Sequence, residues 1–599
     1  MRYQQGATEW VPLMELQRLK NHARRMLFGR NVEVWHHHSF RLPLSALGGV
    51  TGFEPRRADL VLWFLADAWA IDAKMLRKPR RVRYRDLARV HTAEYLESLS
   101  HARTLARIFA VDESDVQVDE ALNTIRLACG ATVQAARSRM ISGGAALNLF
   151  GGFHHAGPDS GGGFCAVNDI AVAVADLRHE GFKGQVVVLD LDAHPPDGLA
   201  ACFRGDSSVW VGSLSGESWG PLEDVDDTVL ERGADDRTYL RALDGLLGRM
   251  PRSEFAFVIA GGDVIAGDRL GKLALSLDGI RRRDLRVYKA LGGVPSVWMP
   301  GGGYGEESWK VLGGTGVVIT CRSLDPIPPT YDPMRARFGW VSTKLSRERL
   351  EGGDELSGKD LEEALGIRPP EAQRLLDFYT ADGIEYALSH YRLMPHLRRL
   401  GFEQLKVSIE VMALGEAVRV HGTFDGERHL LIECVLERKR VANHDVLYVH
   451  WLTLRNPRAK FNQRRPQLPG QDAPGLGLAR EIGWAFARIA RRLGLAGVAY
   501  RPAWYHTAYS GRYHFVFADP VRQGRFEAMQ RDLRNVALLE ITRAAADGRL
   551  RMNGEPHTWE AEEMVFWLGR SPLDEAAVAE ERERVRFTIV DPECDKDGP

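Results

Sequence analysis

Three carboxylates and one imidazole lie within nine residues of this sequence, Asp190-Leu-Asp-Ala-His-Pro-Pro-Asp-Gly198. They directly follow the apolar residues 186–189, a run typical of a buried strand. Carboxylates clustered at a strand end repel one another and lose hydration unless a cation lies between them. The cluster therefore predicts a divalent-metal site. The structural alternative is an aspartate that caps the next helix beside a histidine packed in the core.

A second strand end supplies another carboxylate. Asp263 follows the apolar segment 255–260 and could join Asp192 and His194 as a third metal ligand. Two carboxylates and one imidazole leave coordination positions open for water and a substrate oxygen. That arrangement is typical of a catalytic zinc-type site rather than a structural one.

Glycine-rich segments carry three side chains suited to proton transfer. His154 and His155 are adjacent in a glycine-bounded loop, which favours a general acid and base whose rings are each held by a carboxylate. Tyr304 follows three glycines, and its hydroxyl could donate to the oxyanion that forms when water attacks a carbonyl. The alternative for Tyr304 is a buried aromatic side chain beside a turn.

Short apolar segments alternate with helical patterns from residue 148 onward, and these elements would position the site. The predicted strands are residues 185–189, 209–211, 255–260 and 295–299. Strands separated by helices favour an α/β fold with a largely parallel sheet. Such sheets bind ligands beyond the carboxyl ends of their strands, where the candidate residues fall.

Length, charge and cysteine content limit the classes of protein. The chain has 599 residues, which is too long for a single hydrophobic core. Its 79 Lys and Arg residues balance its 80 Asp and Glu residues, so we expect no nucleic-acid partner. The six cysteines are scattered without a C-x-x-C pair, which argues against a cysteine zinc module and fits a reducing compartment. We find no signal pattern and no run of about 18 apolar residues, so we expect a cytoplasmic protein without a membrane span.

A composition break divides the chain. We predict a first domain over residues 1–323, a proline-rich and polar linker over 324–370 and a second α+β domain over 371–599. The second domain is expected to contain a mainly antiparallel sheet. Its predicted elements are strands at 405–412, 417–423, 429–436 and 446–454, a helix at 478–493, and strands at 497–500 and 513–517. We expect the charged tail after Arg570 to be frayed.

Taken together, the motifs resemble the histone deacetylase superfamily over roughly residues 30–320. The matching segments, in the family's order and approximate spacing, are Phe153-His-His155, Gly162-Gly-Phe-Cys165, Asp190-Leu-Asp-Ala-His194, Ala260-Gly-Gly-Asp-Val-Ile-Ala-Gly-Asp-Arg-Leu-Gly271 and Gly301-Gly-Gly-Tyr304. Residues 151–165 and 267–271 look most like the class IV branch. The resemblance implies an arginase/deacetylase-like parallel sheet and a zinc-dependent deacetylase, with iron(II) as the alternative metal.

The resemblance also implies roles for individual residues. Asp192, His194 and Asp263 match the family's metal ligands. His155 matches the general base that activates metal-bound water, with Asp197 as its carboxylate partner.

Further roles follow from the same resemblance. His154 matches the second histidine, paired with Asp190, and Tyr304 matches the residue that polarises the amide carbonyl. The residues that match the substrate tunnel are Phe153, Gly162, Gly163 and Phe164. The residues that match a structural potassium site are Asp190, Asp192, His194, Ser213 and Leu214.

One departure from the family pattern follows the metal-binding histidine, where this chain has Pro195 and Pro196. The stiffer segment could shift Asp197 and change the tuning of His155. Arginase-like enzymes share this architecture, but a two-metal site would need a carboxylate at position 196. Because a proline occupies that position, we expect a single catalytic metal.

The second domain offers weaker signals. Gly475 and Gly477 lie in a loop before the predicted helix, with basic residues upstream, and such a loop could bind a phosphate. It weakly resembles the acyl-coenzyme-A loop of the GCN5-related acetyltransferases (GNAT), although a turn beside a solvated basic loop explains it equally well. Glu410, Glu433 and Tyr509 are the only candidate catalytic bases that we can name there.

We therefore predict a metal-dependent amidohydrolase that removes an acyl group, long chains included, from acyl-lysine in protein. A hydrolase of an acetylpolyamine or another small acyl-amine is the first alternative. The second is a bifunctional protein whose second domain binds acyl-coenzyme A and transfers the acyl group.

Overall fold

The computed structural model describes residues 6–44, 51–352, 373–462 and 465–590. The chain forms two compact units, which are residues 8–336 and residues 337–599 together with 1–7. Residues 353–370 of the predicted linker lie outside the described residues, whereas its first part is described and contains helices at Pro333–Ser342 and Arg347–Glu351.

The first unit contains helices and strands that alternate along the chain. Its helices are α1 (Gly6–Phe28), α2 (Arg57–Asp67), α3 (Tyr84–Leu87), α4 (Ala93–Ser98), α5 (Ala102–Phe109), α6 (Val118–Ser142), α7 (Asp169–His179), α8 (Asp197–Phe203), α9 (Asp236–Arg249), α10 (Leu277–Ala290) and α11 (Trp309–Cys321), and α12 (Pro333–Ser342) spans the division between the units. Its strands are β1 (Val32–Trp35), β2 (Leu76–Arg77), β3 (Ala145–Asn148), β4 (Val186–Asp190), β5 (Val209–Ser215), β6 (Val225–Val229), β7 (Phe255–Ile259) and β8 (Ser296–Met299).

These strands form one sheet in the order β2-β1-β3-β8-β7-β4-β5-β6. Every neighbouring pair in it is parallel. All residues of β4 and β7, which lie side by side near the middle, are buried, as expected for strands covered on both faces. The predicted parallel sheet flanked by helices is confirmed.

The register of three neighbouring strands brings the candidate segments together. Asp190, the last residue of β4, is paired with Ile259, the last residue of β7, and Ile259 is paired with Met299 at the end of β8. The segments that follow β4, β7 and β8 therefore leave the sheet at the same edge. This edge is where the predicted metal ligands and Tyr304 occur.

Four strands of this sheet were not predicted, and one of them, β2, has only two residues. β1 and β3 have four residues each, too few for a periodic pattern to stand out among helical segments. β6 has the sequence Val-Asp-Asp-Thr-Val and is only partly buried at the edge of the sheet, so its sequence does not read as an apolar run.

The second unit has its own elements. Its helices are α13 (Arg347–Glu351), α14 (Ala381–His390), α15 (Leu393–Arg399), α16 (Ala479–Arg492), α17 (Tyr505–Gly511), α18 (Pro520–Asp532), α19 (Leu538–Ala546) and α20 (Glu575–Arg584). Its strands are β9 (Glu403–Met412), β10 (Gly415–Phe424), β11 (Glu427–Val441), β12 (His444–Leu454), β13 (Gly497–Tyr500), β14 (Val516–Phe517), β15 (Leu550–Met552), β16 (Glu555–Pro556), β17 (Met564–Trp567) and β18 (Phe587–Ile589).

A seven-stranded sheet in the order β14-β17-β13-β12-β11-β10-β9 dominates this unit. Its neighbouring pairs are antiparallel except β12 and β13, which are parallel and joined through α16. The predicted antiparallel sheet, mainly formed by β9 to β12, is confirmed. A smaller sheet has the order β16-β15-β18.

Two predictions for the end of the chain are wrong. The strand predicted at 513–517 is limited to the two residues of β14. The tail after Arg570 is not frayed as far as residue 590, because it forms α20 and β18, which bury Val578 and Phe587. With Val585, three buried apolar side chains among many charged ones fix this segment, and such a sparse pattern is hard to recognise in sequence. Among the described helices, none is long and apolar enough to cross a membrane.

Candidate active site

The three predicted metal ligands converge at the carboxyl edge of the parallel sheet. Asp192 and His194 follow β4, and Asp263 follows β7. One potential ligand atom from each residue lies within 4.8 Å of the other two. Nδ1 of His194 is 3.1 Å from Oδ1 of Asp192 and 2.9 Å from Oδ2 of Asp263, and both aspartates are fully buried.

The chemistry of this donor set fits a divalent cation. Burial and the neighbouring Asp192 carboxylate raise the pKa of Asp263, because two carboxylates in a dry site repel each other. A cation between them would remove that repulsion. Two carboxylates with one imidazole form a ligand set that Zn²⁺ adopts in catalytic sites, so Asp192, His194 and Asp263 would hold the ion.

His154 lies against Asp190, as predicted. Nδ1 of His154 is 2.8 Å from Oδ2 of Asp190, and both residues are buried. Burial by itself would lower the pKa of His154, but the Asp190 and Asp192 carboxylates outweigh it and raise the pKa to about 9. The two carboxylates therefore favour the protonated form of the His154 ring.

His155 lies against Asp197, also as predicted. Nδ1 of His155 is 2.6 Å from Oδ1 of Asp197, which leaves Nε2 as the basic nitrogen. Burial lowers the pKa of His155, and the charge of His154 lowers it further, so the ring is neutral at pH 7 and can accept a proton. Asp197 begins α8 directly after Pro195 and Pro196, and the two prolines leave its contact with His155 in place.

An aromatic side chain that the sequence did not single out covers His155. The Trp219 ring stacks on the His155 imidazole with centroids 5.2 Å apart and planes 25° apart, and it lies 6.2 Å from the His194 ring. About half of Trp219 is exposed. It lies in a loop after β5, outside every motif, so no local signal marks it as part of the site.

Tyr304 reaches the same place from the end of β8. Its ring is 6.4 Å from the His194 ring and 5.6 Å from the Phe164 ring. Burial raises the pKa of Tyr304 well above its usual value, and the Asp192 and Asp263 carboxylates raise it further. The hydroxyl therefore keeps its proton and can act as a hydrogen-bond donor.

The glycines before Tyr304 are held by a buried arginine. Arg57 donates from its two terminal nitrogens to the carbonyl oxygens of Gly301 and Gly302, each at 2.7 Å. A Cβ atom at Gly302 would lie 2.4 Å from Oδ2 of Asp263, so only glycine lets the loop pass this close to the metal-ligand set. Arg57 lies in α2, far away in sequence, and no motif predicted it.

A cavity of about 640 Å³, including its open mouth, adjoins the site. Of the four predicted tunnel residues, Phe153, Gly163 and Phe164 line it and Gly162 does not. Most of its other lining side chains are apolar. These are Leu42, Phe53, Phe109, Ile125, Phe150, Cys165 and Ala166.

The residues of the predicted potassium site are neighbours in the sheet. Ser213 in β5 is paired with Asp190 in β4, and Ser213 and Leu214 are fully buried. Potassium binding itself stays a prediction.

The candidates in the second unit have mixed outcomes. Gly475 and Gly477 lie in the loop before α16, and Gly477 has a φ of +71°, a left-handed conformation that favours glycine. Nε of Arg419 is 2.6 Å from Oε1 of Glu433, and the same guanidinium pairs with Glu410. Both carboxylates thus form ion pairs with Arg419, which argues against either as a catalytic base.

A buried ion pair supports the strand ends that carry the metal ligands. Arg283 and Asp284 in α10 are fully buried, with Nε of Arg283 2.8 Å from Oδ1 of Asp284. Nη1 of Arg283 donates to the carbonyl oxygens of Leu191 at 3.2 Å and Gly261 at 3.0 Å. Leu191 and Gly261 lie one and two residues before the metal-ligand aspartates, so one guanidinium fixes both segments.

We expect Arg283→Met to destabilise the first unit by about 3–5 kcal/mol, because it leaves the Asp284 charge buried without its partner. It should also reduce the zinc retained against a competing chelator. Thermal unfolding and metal analysis of the full chain measure both effects. Arg286→Met is the matched control, since Arg286 lies on the same helix in an exposed pair with Asp244. Equal stability and zinc retention in the two variants would contradict this role.

Similarity to known proteins is found in the first unit, the part of the chain that contains the site. A family model described as the histone deacetylase domain matches residues 51–312. Histone deacetylase 2 of Arabidopsis thaliana is 30% identical over 299 residues, which are 47% of this chain and 76% of that protein. An uncharacterized protein of Picosynechococcus is 36% identical over 190 residues, 30% of this chain and 62% of that protein.

Among solved structures, the crystal structure of an HDAC homologue complexed with SAHA is 27% identical, with a TM-score of 0.42, and the match covers 50% of this chain and 86% of that one. The family model and the Arabidopsis relative carry the assignment, and the metal-ligand set, His154, His155 and Tyr304 lie within the segment that the family model matches. This chain belongs to the histone deacetylase family and is a deacetylase-type hydrolase, zinc-dependent by family.

Proposed function

We propose that the first unit hydrolyses the amide bond of acyl-lysine in protein substrates. The observation that carries this proposal is the convergence of the metal-ligand set, the His155–Asp197 pair and the Tyr304 ring on one place. Amide hydrolysis needs an acceptor for the proton of water, a donor for the carbonyl oxygen and a donor for the leaving amine. The site offers a candidate for each.

A divalent ion held by Asp192, His194 and Asp263 would supply Lewis acidity and make water more acidic. Nε2 of His155 accepts the proton of the attacking water while Asp197 holds Nδ1.

The tyrosine and the protonated histidine complete the reaction. The Tyr304 hydroxyl donates to the carbonyl oxygen as negative charge develops there. His155 then returns its proton to the departing lysine nitrogen. The products are a carboxylate and a free amine.

The adjoining cavity supports acyl groups longer than acetyl. Its lining is mainly apolar and aromatic, as is typical of sites that bind the apolar part of a ligand. An acyl chain bound there would leave water for an apolar environment, and each buried CH₂ group would contribute about 0.8 kcal/mol of favourable transfer free energy. An acetylpolyamine or another small acyl-amine is the alternative substrate.

We expect the full chain to hydrolyse acyl-lysine peptides with higher kcat/KM for myristoyl than for acetyl, and to prefer both to acetylspermidine. Tyr304→Phe should lower kcat by about 10²–10³ with little change in KM, since the lost donor acts mainly in the transition state. Release of the free amine measures the reaction. Tyr288→Phe is the control, because Tyr288 is outside the site.

Three results would each contradict a different part of this proposal. Unchanged kcat in Tyr304→Phe would contradict the assigned role of this residue. A preference for acetylspermidine would favour the polyamine substrate over acyl-lysine. A preference for acetyl over myristoyl would contradict the proposal that the cavity binds long acyl chains.

As a second candidate function, we infer that the second unit binds an acyl thioester of coenzyme A. The supporting observation is the strand order of its sheet. Strands β9 to β12 form an antiparallel meander, and after β12 the chain passes through α16 to β13, which pairs with β12 in parallel. β13 is paired with β12 only at residues 447–449, whereas β12 runs on to Leu454. Among the described residues, no strand pairs with this side of β12 after residue 449. The backbone groups of β12 there could therefore form hydrogen bonds with the amide groups of an extended ligand such as the coenzyme.

The glycine loop before α16 gives a sharp test of this binding. Asn and Asp both tolerate the left-handed conformation of Gly477 and have the same size, and a Cβ there would meet open space. We expect Gly477→Asp to weaken binding of coenzyme A by at least about tenfold relative to Gly477→Asn, because the added carboxylate repels phosphate. Calorimetric titration of the full chain measures this. Equal binding by the two variants, or no binding by the unsubstituted chain, would contradict it.

A further inference from the structure

Tyr304 lies between two glycines, so the neighbouring backbone does little to fix its position. Gly303 has a φ of +132°, a conformation that favours glycine, and a Cβ atom at Gly305 would meet open space. The Tyr304 hydroxyl must stay available to the substrate carbonyl, so it cannot serve as an anchor. The direction of the Tyr304 side chain therefore depends on the group that holds its backbone.

A carboxylate from another loop holds that backbone. The Tyr304 N–H donates to Oδ2 of Asp268 at 2.7 Å. Oδ1 of the same carboxylate accepts from the N–H groups of Leu270 at 2.9 Å and Gly271 at 3.0 Å. One oxygen thus fixes Asp268 within its own loop, and the other oxygen holds Tyr304. A hydrogen bond to a carboxylate is roughly twice as strong as one between neutral groups.

The loop that carries Asp268 also carries a metal ligand. It runs from Asp263, after β7, to Gly271, and its two ends touch. A Cβ atom at Gly271 would clash with the carbonyl oxygen of Asp263, so only glycine permits this approach. The N–H of Asp268 donates to the carbonyl oxygen of Ile265 at 3.2 Å, which closes a turn inside the loop. The position of Asp268 is thereby fixed relative to Asp263.

Arg57 and Asp268 hold different parts of the glycine segment. Arg57 donates to the carbonyl oxygens of Gly301 and Gly302. These two contacts end before the peptide bond that joins the next glycine to Tyr304, and Asp268 accepts the N–H of that peptide. Arg57 therefore determines where the segment passes the metal ligands, whereas Asp268 determines which way Tyr304 faces.

We infer that Asp268 is a positioning residue for the hydrolysis, because it holds Tyr304 with its hydroxyl toward the metal-ligand set. This inference rests on the proposed function, in which that hydroxyl donates to the carbonyl oxygen. Asp268 acts only through Tyr304. Since one loop carries both Asp263 and Asp268, a metal ligand and the oxyanion donor are held in a common frame.

The test is a double-mutant cycle in the zinc-loaded full chain, with amine release from its better amide substrate, acyl-lysine peptide or acetylspermidine, as the readout. We expect Asp268→Asn to lower kcat about 10- to 100-fold with little change in KM, because the amide has only one acceptor oxygen for donors on two sides. In the Tyr304→Phe background the same substitution should lower kcat less than about twofold, since the hydroxyl that it positions is already absent. Asp519→Asn is the matched control, because Asp519 also accepts a backbone N–H, that of Arg522, but lies in the second unit.

A second readout does not depend on turnover. Because Asp268 holds the Tyr304 amide hydrogen, that hydrogen should exchange slowly with deuterium in the unsubstituted chain and faster in Asp268→Asn. Hydrogen-exchange mass spectrometry of the peptides that contain Tyr304 measures this difference. The zinc content of Asp268→Asn should stay at about one ion per chain, which separates positioning of Tyr304 from loss of the ligand Asp263.

The contrary results are distinguishable from one another. Unchanged kcat in Asp268→Asn, or additive losses in the cycle, would overturn the inference and leave the proposed function standing. Loss of zinc in this variant would overturn it as well, because Asp268 would then act through the metal site. Unchanged exchange at Tyr304 would show that Asp268 does not hold this backbone. If the unsubstituted chain hydrolyses neither amide, the proposed function fails and this inference fails with it.

Discussion

Repulsion between buried carboxylates is the constraint on which the first unit depends. Asp190, Asp192 and Asp263 are all fully buried at one edge of the parallel sheet. Such a cluster is stable only when positive charge and donors surround it. His154 balances Asp190, and His194 lies between the other two carboxylates, where a divalent cation would complete the compensation. The same charge that must be neutralised for the fold is the charge that can hold a catalytic ion.

The surrounding structure is arranged to keep this cluster in one geometry. Arg57 and Arg283 donate to backbone carbonyls of the loops beside it, and glycine lets one loop pass within van der Waals distance of a ligand. These groups touch no substrate, yet a metal-ligand set is only as well ordered as the groups that orient it.

Much of the site was predictable because its residues lie in short segments with a chemical signature. Asp192, His194 and the glycine-flanked Asp263 follow apolar runs, and a parallel sheet brings such strand ends together. Trp219, Arg57 and Arg283 were not predictable, since each reaches the site through tertiary packing from a segment without a motif. The short strands β1 and β3 were missed because four residues carry too little periodicity.

The central claim is that Asp192, His194 and Asp263 hold one ion that the hydrolysis requires. Titration of zinc into the full chain after removal of all metal, with amine release from an acyl-lysine peptide as the readout, tests it most directly. The account predicts that activity rises linearly to a plateau at about one zinc per chain and that Asp263→Asn shows no such rise at the same concentrations. Full activity in the metal-free chain, or the same titration curve in Asp263→Asn, would contradict it.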